Sequence, residues 1–159
     1  MLGRVSPVLC AMLRTNFVET TKNEMKVTTF EPETVESFLD YIYADLELMV
    51  KKGPGTYTKN FDNRKLTLDL LRMSHMYEVT NLLEDCIAQV ANSIVTDNVV
   101  DIWRVGENLG IHRLKKQALN HLGKDPKRML KVPGLREALE SAQLRESLVS
   151  YMAGRMIEA

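Results

Sequence analysis

Between Val79 and Ile94 the apolar side chains Val79, Leu82, Leu83, Cys86, Ile87, Val90, Ala91 and Ile94 recur at steps of three and four residues. That spacing lines one face of an α-helix and fits no strand, where side chains alternate every two residues. A face this wide must be covered by other helices or by a sheet, so the chain has to build a packed, mainly helical core around it. At 159 residues it can do so without disulfides or metal.

The rest of the chain supplies partners for that face. Ser6-Pro7 opens a short helix to about Thr15, with Ser6 placed to cap it and Pro7 at the first helical position. Met25 to Phe30 reads as a strand with Met25, Val27 and Thr29 on one face. Pro32 begins a second helix in which Val35, Phe38, Leu39, Ile42 and Tyr43 form the apolar stripe, ending near Ala44; Leu46 to Val50 reads as a short strand. Lys51 to Asn63, broken by Gly53-Pro54-Gly55, is a long loop for a compact domain. Leu66 to Met76 is a broadly apolar helix. Thr96 is the expected cap of the helix carrying Val99, Ile102, Trp103 and Leu109, which Gly110 ends. Ile111, Leu114, Ala118, Leu119 and Leu122 line the next helix, stopped near Gly123. Beyond Pro133-Gly134, helices are expected from Leu135 to Ala142 and from Leu144 to Ile157.

Charge and chemistry exclude more than they assign. Twenty-one basic and 21 acidic residues cancel and neither sign forms a long run, so the clustered positive charge that nucleic-acid binding needs is missing. No stretch approaches the ~18 apolar residues of a membrane span, and Met1 to Met12 is too short and interrupted for a signal peptide. Cys10 and Cys86 are unclustered, which suits a reducing compartment, the nucleus or the cytoplasm. His75, His112 and His121 are scattered, without metal-ligand spacing to either cysteine. Gly53-Pro54-Gly55 lacks the lysine of a phosphate loop, and Gly106 to Gly110 suggests no ligand. With no set of nucleophile, acid or base and charge stabiliser, no catalytic site, metal or cofactor is expected. Of the nine methionines, Met12, Met25, Met73 and Met76 fall at core-facing positions and read as core filler. Trp103 is expected to pack against neighbouring helices.

One polar stretch stands out. Phe17 is a large aromatic flanked by Asn16 and, beyond Val18-Glu19, by Thr20. An aromatic with a carboxylate two residues on suits an anchor-and-rim contact with a partner protein; spacing alone equally allows Phe17 to plug its own domain.

The order of motifs resembles a BTB/POZ domain. Ser6-Pro7-Val8-Leu9-Cys10-Ala11-Met12 is similar to the family's S-P-V-F-x-A-M-F helix. Glu31-Pro32-Glu33 through Tyr41-Ile42-Tyr43 is similar to its P-E-x-F-x-x-x-L-x-Y-I-Y helix, and Leu70-Leu71 with Tyr77 and Leu82 with Cys86 to its closing helix pair. The resemblance spans about Val5 to Leu122. Within the family it is nearest the MATH-BTB, speckle-type POZ group, through Gly106-Glu107-Asn108-Leu109-Gly110 and Leu114-Lys115-Lys116-Gln117-Ala118, which look like the 3-box or BACK-type helical extension.

The resemblance implies a mostly α, α+β chain: a BTB/POZ fold over residues 1–95 with a small sheet remnant, then a helical extension over residues 96–159. The family's opening hairpin and H-K-x-x-L helix have no counterpart beyond Leu2 to Val5, so the fold is expected to be N-terminally truncated and short of the elements of the usual BTB homodimer. No MATH or kelch substrate receptor is visible. The implied function is an adaptor that binds the N-terminal region of cullin-3 in a ubiquitin ligase. The family's hydrophobic-x-Glu contact falls on Phe17, Val18 and Glu19. The alternative is a BTB scaffold that self-associates or binds other proteins without ligase recruitment.

Overall fold

The structure is a computed structural model and describes residues 5–14, 27–52, 63–124, 129 and 131–157. Its elements are α1 (Pro7–Arg14), α2 (Pro32–Lys52), α3 (Arg64–Met76), α4 (Thr80–Asn92), α5 (Val99–Asn108), α6 (His112–Lys124), α7 (Leu135–Ala138) and α8 (Ala142–Ile157). The chain divides into two compact units, Met1–Gln89 and Val90–Ala159. Among the described residues there is no strand.

Two sequence readings are corrected by this. In the expected strand at Met25 to Phe30, residues 27–30 are irregular, and Thr28 and Thr29 are both exposed. The two-residue alternation therefore buries nothing, and without a buried face nothing holds a strand there. The expected strand at Leu46 to Val50 is the continuation of α2, which runs to Lys52 rather than stopping near Ala44. Ala44, Leu46, Glu47, Leu48, Met49, Lys51 and Lys52 are all good helix formers, and no glycine, proline or cap residue intervenes to stop the helix.

In the first unit α2 packs against α3, around Phe38, Tyr41, Ile42, Leu70, Leu71, Met73, Tyr77, Val79, Leu82 and Cys86. The buried face of α2 is not the expected one. Phe38 and Ile42 are inside, but Tyr41 is fully buried while Leu39 and Tyr43 are 40% and 67% exposed. Thr34, Phe38, Tyr41, Ile42 and Asp45 satisfy the three-four spacing as well as the purely apolar set does, so hydrophobicity alone mis-set the face. Asn63 caps α3, its side chain accepting from the backbone N–H of Lys65 and Leu66. At the other end of α3, Met73 is buried but Met76 is 51% exposed, against the expected core role.

The second unit is built on the hairpin of α5 and α6, with α8 against α6. Trp103, as expected, lies in a closed apolar cluster with Val99, Val100, Leu119, Leu122, Leu135, Leu144 and Leu148. Gly106 permits the close approach of the two helices: a Cβ there would sit 3.0 Å from the backbone N of Lys115 and 3.1 Å from the Leu114 Cβ. Glu107 and Lys115 meet at 2.5 Å across the same crossing. The cap of α5 is Asn98, not Thr96. Its side chain accepts from Val95 N–H at 2.8 Å and donates to the Ser93 carbonyl at 2.7 Å, so it fixes the turn before the helix instead of bonding into the helix itself. The helix after Ile111 continues through Lys124, past Gly123, and the last two helices begin and end at Leu135–Ala138 and Ala142–Ile157.

Candidate functional site

The triplet Phe17-Val18-Glu19 lies outside the described residues, and so does Met25. What the structure does describe is the helix that leads to it. α1 ends at Arg14, three residues before Phe17. Its start is fixed by Ser6, whose side chain is fully buried. Ser6 Oγ accepts from the backbone N–H of Leu9 at 3.0 Å and donates to the carbonyl of Tyr77 at 2.5 Å, 71 residues away. One hydroxyl thus serves as helix cap and as tether to the turn between α3 and α4. Leu9 is buried beside it, while Pro7 and Ala11 are exposed and Val8, Cys10 and Met12 half-buried.

The turn that receives the tether is itself tightly specified. Val79 N–H bonds the Ser74 carbonyl at 2.9 Å and Glu78 N–H the His75 carbonyl at 3.4 Å, the two bonds of a Schellman cap. Glu78 sits at φ 53°, the left-handed region that favours glycine. The Tyr77 ring packs on Phe38 of α2, centroids 5.6 Å apart and tilted by 44°.

A second polar group lies between α2 and α4. The Tyr41 hydroxyl donates to Asp85 Oδ2 at 3.3 Å, and Asp45, one turn along α2, is 1% exposed. The Asp45 Oδ1 atom is buried and finds no hydrogen-bond donor among the described residues. Burial, reinforced by Asp85 and Asp45, holds the Tyr41 hydroxyl far above the ordinary tyrosine range. Burial also raises the Asp85 carboxyl above its ordinary 3.8, an effect the Tyr41 hydrogen bond partly offsets and Asp45 adds to. The Cys86 thiol, fully buried, is pushed up to about 12, chiefly by burial and then by Asp85. A thiol held protonated is a packing group and not a nucleophile.

Sequence reasoning missed both arrangements. Ser6 was legible as a cap but not as a tether, because nothing local points to Tyr77. Tyr41 and Asp45, four apart on one helix face, were the available signal for the second group. His75 and His112 are exposed and His121 is half-buried. Among the described residues no group of three or more His, Cys, Asp or Glu side chains is placed to hold a metal ion. No helix among them is long and apolar enough to cross a membrane.

Residues 1–94 match the BTB/POZ domain, and the chain belongs to the BTB/POZ family. It is similar to Kelch-like protein 40a of Danio rerio, with 24% identity over 119 residues, 74% of this chain and 17% of that protein. The chain therefore spans only a small part of that relative's length.

Proposed function

We propose that this chain is an adaptor that binds the N-terminal region of cullin-3 through Phe17, Val18 and Glu19, as the BTB subunit of a ubiquitin ligase. Membership of the BTB/POZ family supports a protein-binding role, and the similarity to a Kelch-like protein is in keeping with an adaptor. The observation that carries the reading is the double use of Ser6. By bonding both Leu9 and Tyr77 it gives α1 a fixed start, three residues upstream of whose partner segment the helix ends. An anchor residue binds best when the element presenting it is ordered beforehand, since less entropy is lost on docking.

In this reading Phe17 is the aromatic anchor and Glu19 the charged rim. The protein acts by binding, without a catalytic site or cofactor, in the nucleus or cytoplasm. The Gly106 to Gly110 and Leu114 to Ala118 motifs support a likeness to the speckle-type POZ group. A pull-down with the N-terminal cullin-3 region tests the proposal. Capture of the intact chain and its loss, by roughly tenfold or more, in a Phe17→Ala, Glu19→Lys variant is expected, because a truncated anchor costs ~2 kcal/mol or more. Equal capture of both proteins would remove the role assigned to the triplet. No capture of either, together with self-association, would favour the scaffold reading.

A further inference from the structure

The polar group between α2 and α4 holds two carboxylates and no cation. Tyr41 and Asp45 stand one turn apart on the buried face of α2, and Asp85 meets them from α4. The Tyr41 hydroxyl gives its one proton to Asp85 Oδ2 at 3.3 Å. Asp45 is 1% exposed, and its buried Oδ1 finds no donor among the described residues. Neither carboxylate enters an ion pair among those residues.

Such a group works against folding. A buried carboxylate without donors keeps the full cost of leaving water, and a second carboxylate nearby adds to it. Burial opposes the charge of Asp85, and Asp45 opposes it further. What would satisfy these oxygens is narrowly defined. It must be positive, to offset two carboxylates, and must bring several donors into a small space. The described residues place no group of three or more ligands for a metal ion, so the cation is an organic one. The lysine ammonium fits: three donors on a compact head, at the end of a slender stem. The arginine guanidinium is wider and flat, with its donors in a rigid fork. Entry is from the side of Asp85, which is half-buried where Tyr41 and Asp45 are buried.

We propose that Asp45 and Asp85 form a receptor for one lysine side chain of a protein partner, with Asp85 at the mouth and Asp45 at the floor. The ammonium donates to Asp45 Oδ1 and to the Asp85 carboxylate, and the Tyr41 hydroxyl holds Asp85 in place through its own bond. Asp45 weakens the free chain and gains its donor only on binding. Stability and recognition therefore pull in opposite directions at this one position.

The test uses the full chain and N-acetyl-lysine methylamide as the probe. Its Nε-acetylated form, which lacks the charge, and N-acetyl-arginine methylamide are the controls, all at one ionic strength. The lysine probe is expected to raise the midpoint of thermal unfolding in step with the logarithm of its concentration, and to move the amide NMR signals of Asp45 and Asp85. Both controls leave midpoint and signals where they were. Asp45→Asn raises the midpoint of the free chain, because its side-chain amide donates to Asp85 where the carboxylate could not, and it removes the response to the lysine probe. Absence of any response to the lysine probe overturns the proposal. So does an equal response to either control, or a lysine response that survives Asp45→Asn. An Asp45→Asn chain less stable than the parent also overturns it, since Asp45 would then already have its donor.

Discussion

Two turns in this molecule share one geometry and differ in the residue that makes it. After α3 the chain turns at Tyr77-Glu78-Val79, and after α5 at Leu109-Gly110-Ile111. In both, the third residue bonds back to the carbonyl five before it: Val79 to Ser74 at 2.9 Å, Ile111 to Gly106 at 2.8 Å. In both, the middle residue is left-handed, at φ 53° for Glu78 and 67° for Gly110. In both, the third residue is β-branched and buried. Gly110 takes that conformation without steric cost, whereas the Cβ of Glu78 resists it. The strained turn is therefore held from outside, by the Ser6 hydroxyl on Tyr77 and the Phe38 ring against it. The relaxed turn joins helices held by close packing at Gly106 and by an apolar cluster. The turn of the first unit is thus held by contacts to residues far apart in sequence, a polar tether among them, and the turn of the second by the packing of the two helices it joins, with the Glu107–Lys115 ion pair across their crossing.

The largest effect belongs to the second unit. Trp103→Ala is expected to cost about 3–5 kcal/mol, through lost burial and the cavity left behind. Trp103→Phe costs much less, because the indole N–H it removes is buried and finds no acceptor among the described residues. Chemical denaturation followed by hydrogen exchange in each unit would show whether the loss stays within residues 90–159. Equal loss of protection in both units would break the distinction between them.

Next in size is Ser6→Ala. It removes the cap of α1 and leaves the Leu9 N–H and the Tyr77 carbonyl without their partner, at a cost of about 1–3 kcal/mol. Exchange should rise at α1 and at the Tyr77 turn together. A change confined to α1 would mean that the tether does not support the turn.

The turns themselves can be compared directly. Gly110→Ala should destabilise by about 1–2 kcal/mol and Glu78→Gly should stabilise by somewhat less, about 0.5–1 kcal/mol, since glycine relieves the left-handed strain but adds freedom to the unfolded chain. Thermal unfolding of both variants would show opposite signs. The same sign in both would mean that the turns are not equivalent.

The smallest effect is a pH slope in the first unit. Burial raises the Asp85 carboxyl in the folded state above its ordinary 3.8, so the folded protein holds its proton to higher pH than the unfolded chain does. Below the ordinary value both states are protonated and stability is unaffected; as pH rises from there through the raised folded value, stability is lost. Asp85→Asn should flatten that part of the stability–pH profile. An unchanged slope would show that Asp85 carries no such linkage.

The contrast between the turns also shows how much was legible beforehand. Gly110 announced its cap and Trp103 its place in the core; of the stripe from Val79 to Ile94, Val79, Leu82, Cys86, Ile87 and Val90 are buried, Leu83, Ala91 and Ile94 are half-buried, and Ile94 lies beyond the end of α4 at Asn92. Glu78 gave no signal, because nothing about a glutamate predicts φ > 0. The inward face of α2 was misread because Tyr41 is buried with its hydroxyl on Asp85, a partner 44 residues away. Asn98 displaced Thr96 as the cap because its amide bonds both sides of the preceding turn. Of the candidate site, the approach helix was legible and its tether was not. The triplet itself lies outside the described residues.

The sequence by itself determined most of the helices, though not where α2 ends, and the order of motifs that marks the BTB/POZ family. These follow from spacing within a single element, which local sterics and side-chain periodicity control. Only the tertiary structure decided which face of α2 is inside, that one serine hydroxyl joins α1 to a turn 71 residues away, and that a glutamate is held left-handed there. Each of those depends on a partner contributed by a distant segment, and no pattern within a segment names its partner.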